Sequence, residues 1–595
     1  MRSGLYGLFN LDGAPVEQRD RAMPVFADRD AGAIEAPSAI ARAMDAADPA
    51  AVASLRMADG CFLFAGYLDE REELAETLGL SRETPAVEVA RAALDKYGDE
   101  APLRVVGEWS AARWREDRRE LVVTLSQAIR DDVFFTRVGQ RVAIAPDIHW
   151  LRGLNGGDRG LDAEGLLFNV GRLRARSGAG GRTIARGVGK ARNGSRVVFN
   201  SDGSRASTPT RPPQPERFRG TFEDALAEAD ALMARIGRER FARADKVAFL
   251  LSGGLDSSLT TWLGASQRQA GQDFWALSSA SPANSDIPDE TGFAEIVTNH
   301  LGMALERVAP PLDANPYCLP DRELGWANGP ALSPRHYLYT ALFDRAAERG
   351  ARKIVDGCYG EMTLTGTPVI ATMLWRARQI ARGLRNKWRG FPKPEQWPED
   401  GFHVRLSPGR LANIPASLGE AWKQFPPFRH ERRPGEPWGY HAGVENGWSA
   451  PTEAVPGELR VDVPFRDMRL LRLCAGFPAV FFERNGQARA LARGMLENRL
   501  PDTIRLRPKG TAFSPDYYSR LRTHADSALA RIPDFRAAGV DEWLDLDWLA
   551  QALVAVRDHG AATVTSAFEA QLTAMMAEQI AWWNRPKTPV ARDAA

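Results

Sequence analysis

Residues 246–259 have the sequence KVAFLLSGGLDSSL, in which a short apolar run ends at two glycines and an aspartate and two serines follow at once. The run is typical of a strand buried in a parallel sheet. Gly253 and Gly254 permit backbone angles that let successive N–H groups point into one concavity. The helix that begins near Asp256 adds unpaired N–H groups and the positive end of its dipole. The stretch therefore predicts a loop that binds phosphate groups.

The polar side chains of this loop indicate which ligand it takes. Ser252, Ser257 and Ser258 would supply hydroxyl groups. Asp256 would repel a phosphate unless a divalent cation lay between them, so we expect Mg²⁺. The loop is not a Walker A motif, because no GK[ST] follows the glycines. A glycine turn with serine N-caps is the alternative, and the position of the string between a buried strand and a helix favours the phosphate loop.

Composition bounds the class of protein. A chain of 595 residues is too long for one core, so we expect at least two domains. Its 77 Lys+Arg balance 76 Asp+Glu, which predicts no nucleic-acid partner for the chain as a whole. The 4 cysteines are scattered without a CxxC pair, which indicates neither a disulfide framework nor a zinc site. Without a signal peptide or a long apolar span, the expected location is the cytoplasm, with no membrane insertion.

The pattern of elements changes along the chain. Short β-branched runs at 119–126, 141–146 and 195–200, mixed with helical stripes, predict an α+β domain over residues 1–200 with sheet-on-sheet or sheet–helix layers. Residues 201–220 are dense in Ser, Pro and Arg, and we expect a linker there. From residue 221 to 595, repeated strand–helix units predict a doubly wound parallel α/β sheet with ligands at the carboxyl ends of its strands.

Several segments resemble one known family. SGGLDSS is similar to the pyrophosphate loop of the ATP pyrophosphatases of the asparagine synthetase class, which activate a carboxylate as an acyl-adenylate that an amine then attacks. FWALSSA (274–280), IVDGCYGEM (354–362), RVDVPFRD (460–467) and LPDTIRLRPKG (500–510) follow in the order of that family. The resemblance implies a PP-loop, adenine nucleotide alpha hydrolase-like domain after an Ntn-type sandwich of the class II glutamine amidotransferase kind.

The resemblance also implies roles for individual residues. The positions expected to bind ATP and pyrophosphate are Leu250, Ser252, Gly253, Gly254, Asp256, Ser257, Ser258, Leu277, Ser278 and Gly357. Those expected to hold Mg²⁺ are Asp256 and Glu361, and those expected to act in catalysis are Lys509, Tyr359 and Glu290. Lys509 could also be a solvated surface lysine, and Glu290 could be an acid that favours the dipole of its own helix.

The amino-terminal motif departs from the family. Asparagine synthetases place a nucleophilic cysteine where MRSGLYG (1–7) has Ser3, and a serine hydroxyl without a base is a poor nucleophile. Their NGEIYN turn, which builds an oxyanion hole, corresponds to AGYLDE (65–70), with Ala65 in place of the asparagine. We therefore expect the domain to keep its fold without glutaminase activity.

The acidic turn departs as well. Where asparagine synthetases have GEGADE, this chain has GCYGEM, so the metal-binding aspartate becomes Glu361 and two functional glutamates become Cys358 and Met362. This loss argues against asparagine formation. Tyr359 resembles the tyrosine that activates the amine in β-lactam synthetases, one position out of register.

An amidotransferase-like domain without the nucleophilic cysteine, fused to an adenylating domain, resembles the arrangement in lasso peptide cyclases. That resemblance implies macrolactam formation in a ribosomal leader–core precursor peptide, with a leader peptidase, a leader-binding protein and an exporter as partners. The Trp- and Arg-rich segment 370–455 could form a wall against the peptide, or it could be a helical insertion on the core. Its tryptophans are Trp375, Trp388, Trp397, Trp422, Trp438 and Trp448.

Two other hypotheses stay open. One is a β-lactam synthetase or an ammonia-dependent asparagine synthetase. The other is an inactive ATP-binding scaffold, for which Met362 and Cys358 are the motive.

Overall fold

The architecture comes from a computed structural model. The residues it describes are 2–27, 33–128, 131–154, 160–171, 181–210, 215–242, 244–281, 290–326, 328–366, 402–415, 418, 459–508, 516–561, 564 and 566–585.

The amino-terminal part contains two six-stranded antiparallel sheets. Their strands are β1 (Gly4–Asn10), β2 (Ile34–Ala36), β3 (Ala39–Met44), β4 (Val52–Met57), β5 (Gly60–Leu68), β6 (Gly107–Arg115), β7 (Glu120–Leu125), β8 (Phe134–Val138), β9 (Arg141–Ala145), β10 (Val188–Lys190), β11 (Ser195–Phe199) and β12 (Arg205–Pro209). The orders are β10-β8-β9-β1-β3-β2 and β12-β11-β7-β6-β5-β4. Apolar side chains of both sheets share one core, in which the rings of Phe9 and Trp114 lie 5.5 Å apart. The sheets therefore form a sandwich.

Helices cover the outer faces of this sandwich. They are α1 (Gln18–Arg21), α2 (Pro24–Ala27), α3 (Arg71–Thr77), α4 (Ala86–Tyr97), α5 (Ala101–Arg104), α6 (Ile148–Leu154) and α7 (Ala163–Val170). The longest, α4, buries Val89, Ala90 and Ala93 against Phe62 and Phe64 of β5. Because successive residues of a strand face opposite sides, β5 serves the inner core with Leu63 and the helix layer with its neighbours.

The expected linker 201–220 is not an unstructured connection. Residues 205–209 form β12, whose five residues are all exposed and which pairs with β11 along the edge of the second sheet. Backbone hydrogen bonds do not require apolar side chains, so the polar composition concealed this strand. Further on, Phe218 packs against Phe477 with ring centroids 5.0 Å apart. The described parts of the segment are thus held to both halves of the chain.

The second half is built on a parallel sheet of order β15-β14-β13-β16-β17, which confirms the prediction of such a sheet. Alternate residues of the central strand serve different layers: Val247 and Phe249 face one core and Ala248 faces the other. Helices lie on both faces. The strands are β13 (Lys246–Leu250), β14 (Asp273–Ser279), β15 (Ala304–Val308), β16 (Lys353–Val355) and β17 (Arg460–Asp462), with a small hairpin β18 (Glu483–Arg484) and β19 (Gln487–Ala488).

The remaining described elements are helical. They are α8 (Phe222–Phe241), α9 (Leu255–Gln267), α10 (Thr291–Leu301), α11 (Asp321–Trp326), α12 (His336–Glu348), α13 (Pro408–Ala412), α14 (Met468–Gly476), α15 (Ala490–Met495), α16 (Asp502–Arg505), α17 (Tyr517–Thr523), α18 (Ala525–Ala530), α19 (Ile532–Ala537), α20 (Leu546–His559) and α21 (Ala567–Asn584). The last five pack with the sandwich helices α6 and α7 in one apolar cluster. Within the described residues, none of these helices has the length and apolar character needed to cross a membrane.

A buried arginine connects the sandwich to the parallel sheet. The guanidinium of Arg240 lies 3.6 Å from a carboxylate oxygen of Asp69 and 3.2 Å from one of Glu108, both in the sandwich. It also lies 3.5 Å from a carboxylate oxygen of Asp462 and 3.5 Å from one of Asp467, in the second half. All five side chains are at least nine-tenths buried. The pKa of Arg240 is raised by these carboxylates despite the cost of burial, so the guanidinium stays charged.

We predict that Arg240→Ala lowers the free energy of unfolding by about 3–5 kcal/mol, because it leaves buried carboxylates without their cation. Arg238→Ala is the matched control, since Arg238 is exposed on the same helix. It should change the free energy by no more than about 0.5 kcal/mol. Denaturant and thermal unfolding of both variants measure the difference, and an equal effect in the two would contradict the central role of Arg240.

Candidate functional site

The phosphate loop lies at the carboxyl end of the central strand β13. Gly253 has φ +68°, and a Cβ there would lie 2.4 Å from the Cβ of Phe293, so a side chain is excluded. Helix α9 begins directly after Gly254. A glycine has no side chain, so no side-chain hydrogen bond caps the start of this helix. The first N–H groups of the helix are thus left to other acceptors. A helix start with open N–H groups can bind an anion, and phosphate binding by this loop stays a prediction.

Two serines hold the loop in shape. The Ser257 hydroxyl donates to the carbonyl oxygen of Gly254 over 3.1 Å and accepts from the backbone N–H of Ser252 over 3.2 Å. The two hydroxyl oxygens are 3.2 Å apart. Ser258 differs, because its side chain is fully buried and its hydroxyl oxygen has no hydrogen-bond partner within the described residues. The structure therefore places Ser252 in the loop, Ser257 in the first turn of α9 with its hydroxyl on the loop, and Ser258 on the buried side of α9.

The turn after β16 packs directly on the phosphate loop. A Cβ on Gly357 would lie 2.8 Å from the backbone nitrogen of Ser257, and one on Gly360 would overlap the carboxylate of Asp256. Between these glycines, Tyr359 adopts φ +71°, a left-handed conformation that is costly for a tyrosine. Gly357 lets the turn approach the backbone of the loop, whereas Gly360 leaves room for the side chain of Asp256.

Asp256 and Glu361 both lie near the guanidinium of Arg489. Asp256 accepts a hydrogen bond from the Thr365 hydroxyl, and its other carboxylate oxygen lies 3.9 Å from Nη1 of Arg489. Nη2 of the same guanidinium lies 3.5 Å from Glu361. Burial raises the pKa of Asp256, an effect that the Thr365 hydrogen bond and Arg489 oppose. A second cation would therefore stabilise the ionised carboxylate.

These residues fit Mg²⁺ as a shared ligand of protein and nucleotide. Mg²⁺ in such sites binds one or two carboxylates together with phosphate oxygens. Asp256 and Glu361 supply two hard oxygen donors that one guanidinium already spans. Within the described residues, no group of three His, Cys, Asp or Glu side chains could hold a metal alone. The two carboxylates of the protein therefore fit a Mg²⁺ ion whose remaining ligands come from a nucleotide.

Glu290 reaches the loop through an arginine. Its carboxylate lies 2.8 Å from Nη2 of Arg507, and Nη1 of Arg507 donates to the carbonyl oxygen of Gly253 over 3.0 Å. The guanidinium also stacks on Phe293, 3.6 Å from the ring centroid. Glu290 thus lies beside the loop, where its contact is a salt bridge that positions Arg507.

Leu250, Leu277 and Ser278, the candidates for adenine binding, lie at the carboxyl ends of strands β13 and β14. Leu250 and Leu277 are paired neighbours on β13 and β14, and the carbonyl oxygen of Leu277 accepts from Leu251 over 2.8 Å. Ser278 is buried. The carbonyl oxygen of Leu277 therefore has one hydrogen-bond partner inside the sheet, and adenine binding at these three positions stays a prediction.

Some predicted residues lie outside the described part of the chain. These include Lys509 and all six tryptophans of segment 370–455. Within that segment, residues 402–415 are described, and their side chains Phe402, Val404 and Leu406 belong to the apolar core. This stretch packs as an insertion on the core. Tyr359 is half-buried, and burial raises the pKa of its phenol, which disfavours the phenolate.

Four positions near the site were missed from the sequence. Arg489 and Thr365 carry no local motif, because their relation to Asp256 depends on chain folding over more than a hundred residues. Arg507 had a usable indication, since it lies in the same RxK string as Lys509. Asp356, the residue before Gly357, was also overlooked.

The surroundings of Ser3 are tied to the parallel sheet. The hydroxyl of Ser3 donates to Asp45 over 3.3 Å, and Asp45 accepts from Nε of Arg460 over 3.0 Å. Nη1 of Arg460 lies 2.7 Å from both carboxylate oxygens of Asp131. Asp45 and Arg460 are buried. The side chain of a β17 residue thus occupies the surroundings of Ser3.

The family model named asparagine synthase matches residues 228–412 and 454–584, more than half of the chain. The chain belongs to the asparagine synthase family. Membership indicates an ATP-dependent ligase that forms a carbon–nitrogen bond, and enzymes of the family use ATP, generally with Mg²⁺. A search of curated proteins finds no match.

Two solved structures are similar to this asparagine synthase family member at low scores. Glutamine phosphoribosylpyrophosphate amidotransferase from B. subtilis, complexed with ADP and GMP, is 12% identical, with 60% of this chain and 76% of that chain covered and a TM-score of 0.23. A structure described as the allosteric regulatory enzyme of purine biosynthesis is 12% identical, with 54% and 76% covered and a TM-score of 0.24. TM-scores this low support no argument about the fold.

We predict that Gly357→Ala weakens ATP binding at least about tenfold, equivalent to about 1.4 kcal/mol, because the added methyl would push the turn away from Ser257. Calorimetric titration with a non-hydrolysable ATP analogue measures the affinity, and circular dichroism checks the fold. Gly292→Ala is the control, since a Cβ at Gly292 meets no atom within 4 Å. Equal affinities for the two variants would show that the close approach is not required.

Proposed function

We propose that this ligase closes a macrolactam in a ribosomal precursor peptide, as lasso peptide cyclases do. An Asp or Glu side-chain carboxylate of the peptide would be adenylated, with release of pyrophosphate. The amino-terminal amine of the core peptide would then attack, with release of AMP. The proposal makes the nitrogen donor part of the substrate, so no ammonia is required.

The observation that carries this proposal is the Arg460 cluster around Ser3. In a glutaminase, the residue at this place attacks glutamine and needs a nucleophilic side chain and room for the substrate. Here the Ser3 hydroxyl donates to Asp45, and Arg460 fills the space between Asp45 and Asp131. A carboxylate that accepts this hydrogen bond and is itself clamped by arginine is poorly suited as a general base. The geometry favours a domain that supplies no ammonia.

The first half-reaction uses the phosphate loop. The N–H groups at the start of α9 would bind the pyrophosphate as it leaves, and Arg489 would add positive charge at the mouth of the loop. Asp256 and Glu361 would hold Mg²⁺, which neutralises phosphate charge when bound. Lys509 is proposed to stabilise charge on the α-phosphate. These roles extend the ATP-dependent ligation of the family to an AMP- and pyrophosphate-forming reaction by a PP-loop domain.

The second half-reaction depends on proximity. The amine and the acyl-adenylate would belong to the same peptide, so holding the peptide folded turns the attack into an intramolecular step. A leader-binding protein and a leader peptidase would deliver the freed amine, and an exporter would remove the product. We place this chemistry in the cytoplasm.

The decisive experiment is pyrophosphate exchange with candidate substrates. We predict ATP–pyrophosphate exchange and AMP release with a precursor peptide, and none with free aspartate plus ammonia. Asp256→Asn should reduce the exchange rate at least about a hundredfold, since it removes the carboxylate shared with Mg²⁺. Exchange with free aspartate or with a small β-amino acid would instead favour an asparagine or β-lactam synthetase. Nucleotide binding without AMP from any substrate would favour an inactive scaffold.

We also predict that Ser3→Cys does not restore glutamine hydrolysis. The new thiol would face the Asp45 carboxylate, whose negative charge disfavours the thiolate. Glutamate release from glutamine, measured with Ser3→Cys and with the double variant Ser3→Cys/Asp45→Asn, tests this. Glutaminase activity in the single variant would contradict the absence of an ammonia source.

A further inference from the structure

Asp356 is a buried acid whose carboxylate is only partly satisfied. It is the first residue after β16, and its side chain is 7% exposed. Oδ1 accepts from the backbone N–H of Cys358 over 3.0 Å, whereas Oδ2 has no hydrogen-bond partner within the described residues. A buried carboxylate oxygen without a partner costs free energy, so its retention calls for an explanation.

The surroundings of Asp356 contain no neutralising cation. No arginine, lysine or histidine of the described residues forms an ion pair with it. The groups that face it are the thiol of Cys358, which donates to it, and the phenols of Tyr339 on α12 and Tyr359. Its own backbone N–H is fixed by the carbonyl oxygen of Asp462 over 2.9 Å. The carboxylate is thus held rigidly in a largely apolar setting.

The position of Asp356 places it beside the ligation chemistry. The next residue, Gly357, touches the backbone of Ser257 and Asp256 in the phosphate loop. Both segments lie at the carboxyl edge of neighbouring strands, where ligands bind in such sheets. Asp356 therefore lies one residue from the backbone contact that defines the site.

Cys358 cannot take the role of the glutamate that related enzymes have at this position. Its thiol is a donor to Asp356, and burial together with this carboxylate raises the pKa of the thiol well above its usual value. A neutral thiol is no proton acceptor at neutral pH. The segment still contains one carboxylate that is not among the residues expected to hold Mg²⁺, and it belongs to Asp356.

We propose that Asp356 is the general base of the ligation step, an inference that rests on the proposed function. The amine nitrogen forms a bond to the acyl carbon, and the bond from that carbon to the phosphate oxygen breaks, so that AMP leaves with the electron pair. The proton lost by the nitrogen is taken up by Oδ2 of Asp356. Burial raises the pKa of Asp356, which makes its carboxylate a better proton acceptor near neutral pH.

The test separates adenylation from ligation. Asp356→Asn preserves the size of the side chain and the acceptor for Cys358 but removes the base. We expect ATP–pyrophosphate exchange with the precursor peptide to stay within about threefold of wild type, while lactam formation falls at least about a hundredfold. Hydroxylamine, a nucleophile that is neutral at pH 7, should still trap the acyl-adenylate of the variant as a hydroxamate.

Two further variants make the outcome decisive. Asp356→Glu should recover part of the lactam formation, and Asp273→Asn, at the amino end of β14, should leave both half-reactions unchanged. Lactam formation by Asp356→Asn at the wild-type rate, or a parallel loss of exchange, hydroxamate and lactam, would overturn the assignment. Wild type that gives neither exchange nor lactam with any precursor would overturn the proposed function, and this inference with it.

Discussion

The site depends on how closely two backbone segments approach each other. The loop after β13 and the turn after β16 touch at Gly357 and Gly360, where any side chain would collide with Ser257 or Asp256. Neighbouring parallel strands bring these segments to the same edge, and the glycines let them come into contact. This contact sets where Asp256, Glu361 and Asp356 stand relative to the start of α9, so the chemistry follows from it.

Buried ion pairs join the sandwich to the parallel sheet. Arg240 and Arg460 each reach carboxylates of the sandwich, and Arg460 does so beside Ser3. Burial raises the pKa of Asp69, an effect that the guanidinium of Arg240 opposes. Because acids of the sandwich are partners of these two arginines, removing the domain would leave Arg240 and Arg460 without part of their counter-charge, which gives a physical reason to retain it.

Much of the fold was predictable because it rests on local patterns. The apolar run of β13, the glycine pair and the following helix lie within residues 246–267, so the strand, the glycine turn and the helix after it could be inferred directly. Strand β12 was missed because its exposed residues carry no apolar alternation. Arg489 was missed for a different reason: its distance from Asp256 along the chain is large, and only the tertiary fold brings its guanidinium between two acids.

The difference between a local sequence pattern and a contact made by the tertiary fold also explains the change in the acidic turn. Aligned by letters, the turn has lost its glutamate at Cys358, which argues against asparagine formation and leaves an inactive scaffold as one alternative. In three dimensions, the thiol at that place donates to a carboxylate two residues earlier, and one oxygen of that carboxylate has no partner within the described residues. A proton acceptor is defined by its environment and its reach, not by its position in a motif. Burial destabilises the ionised form of a carboxylate and so raises its affinity for a proton. The attack of an amine requires a group with such an affinity.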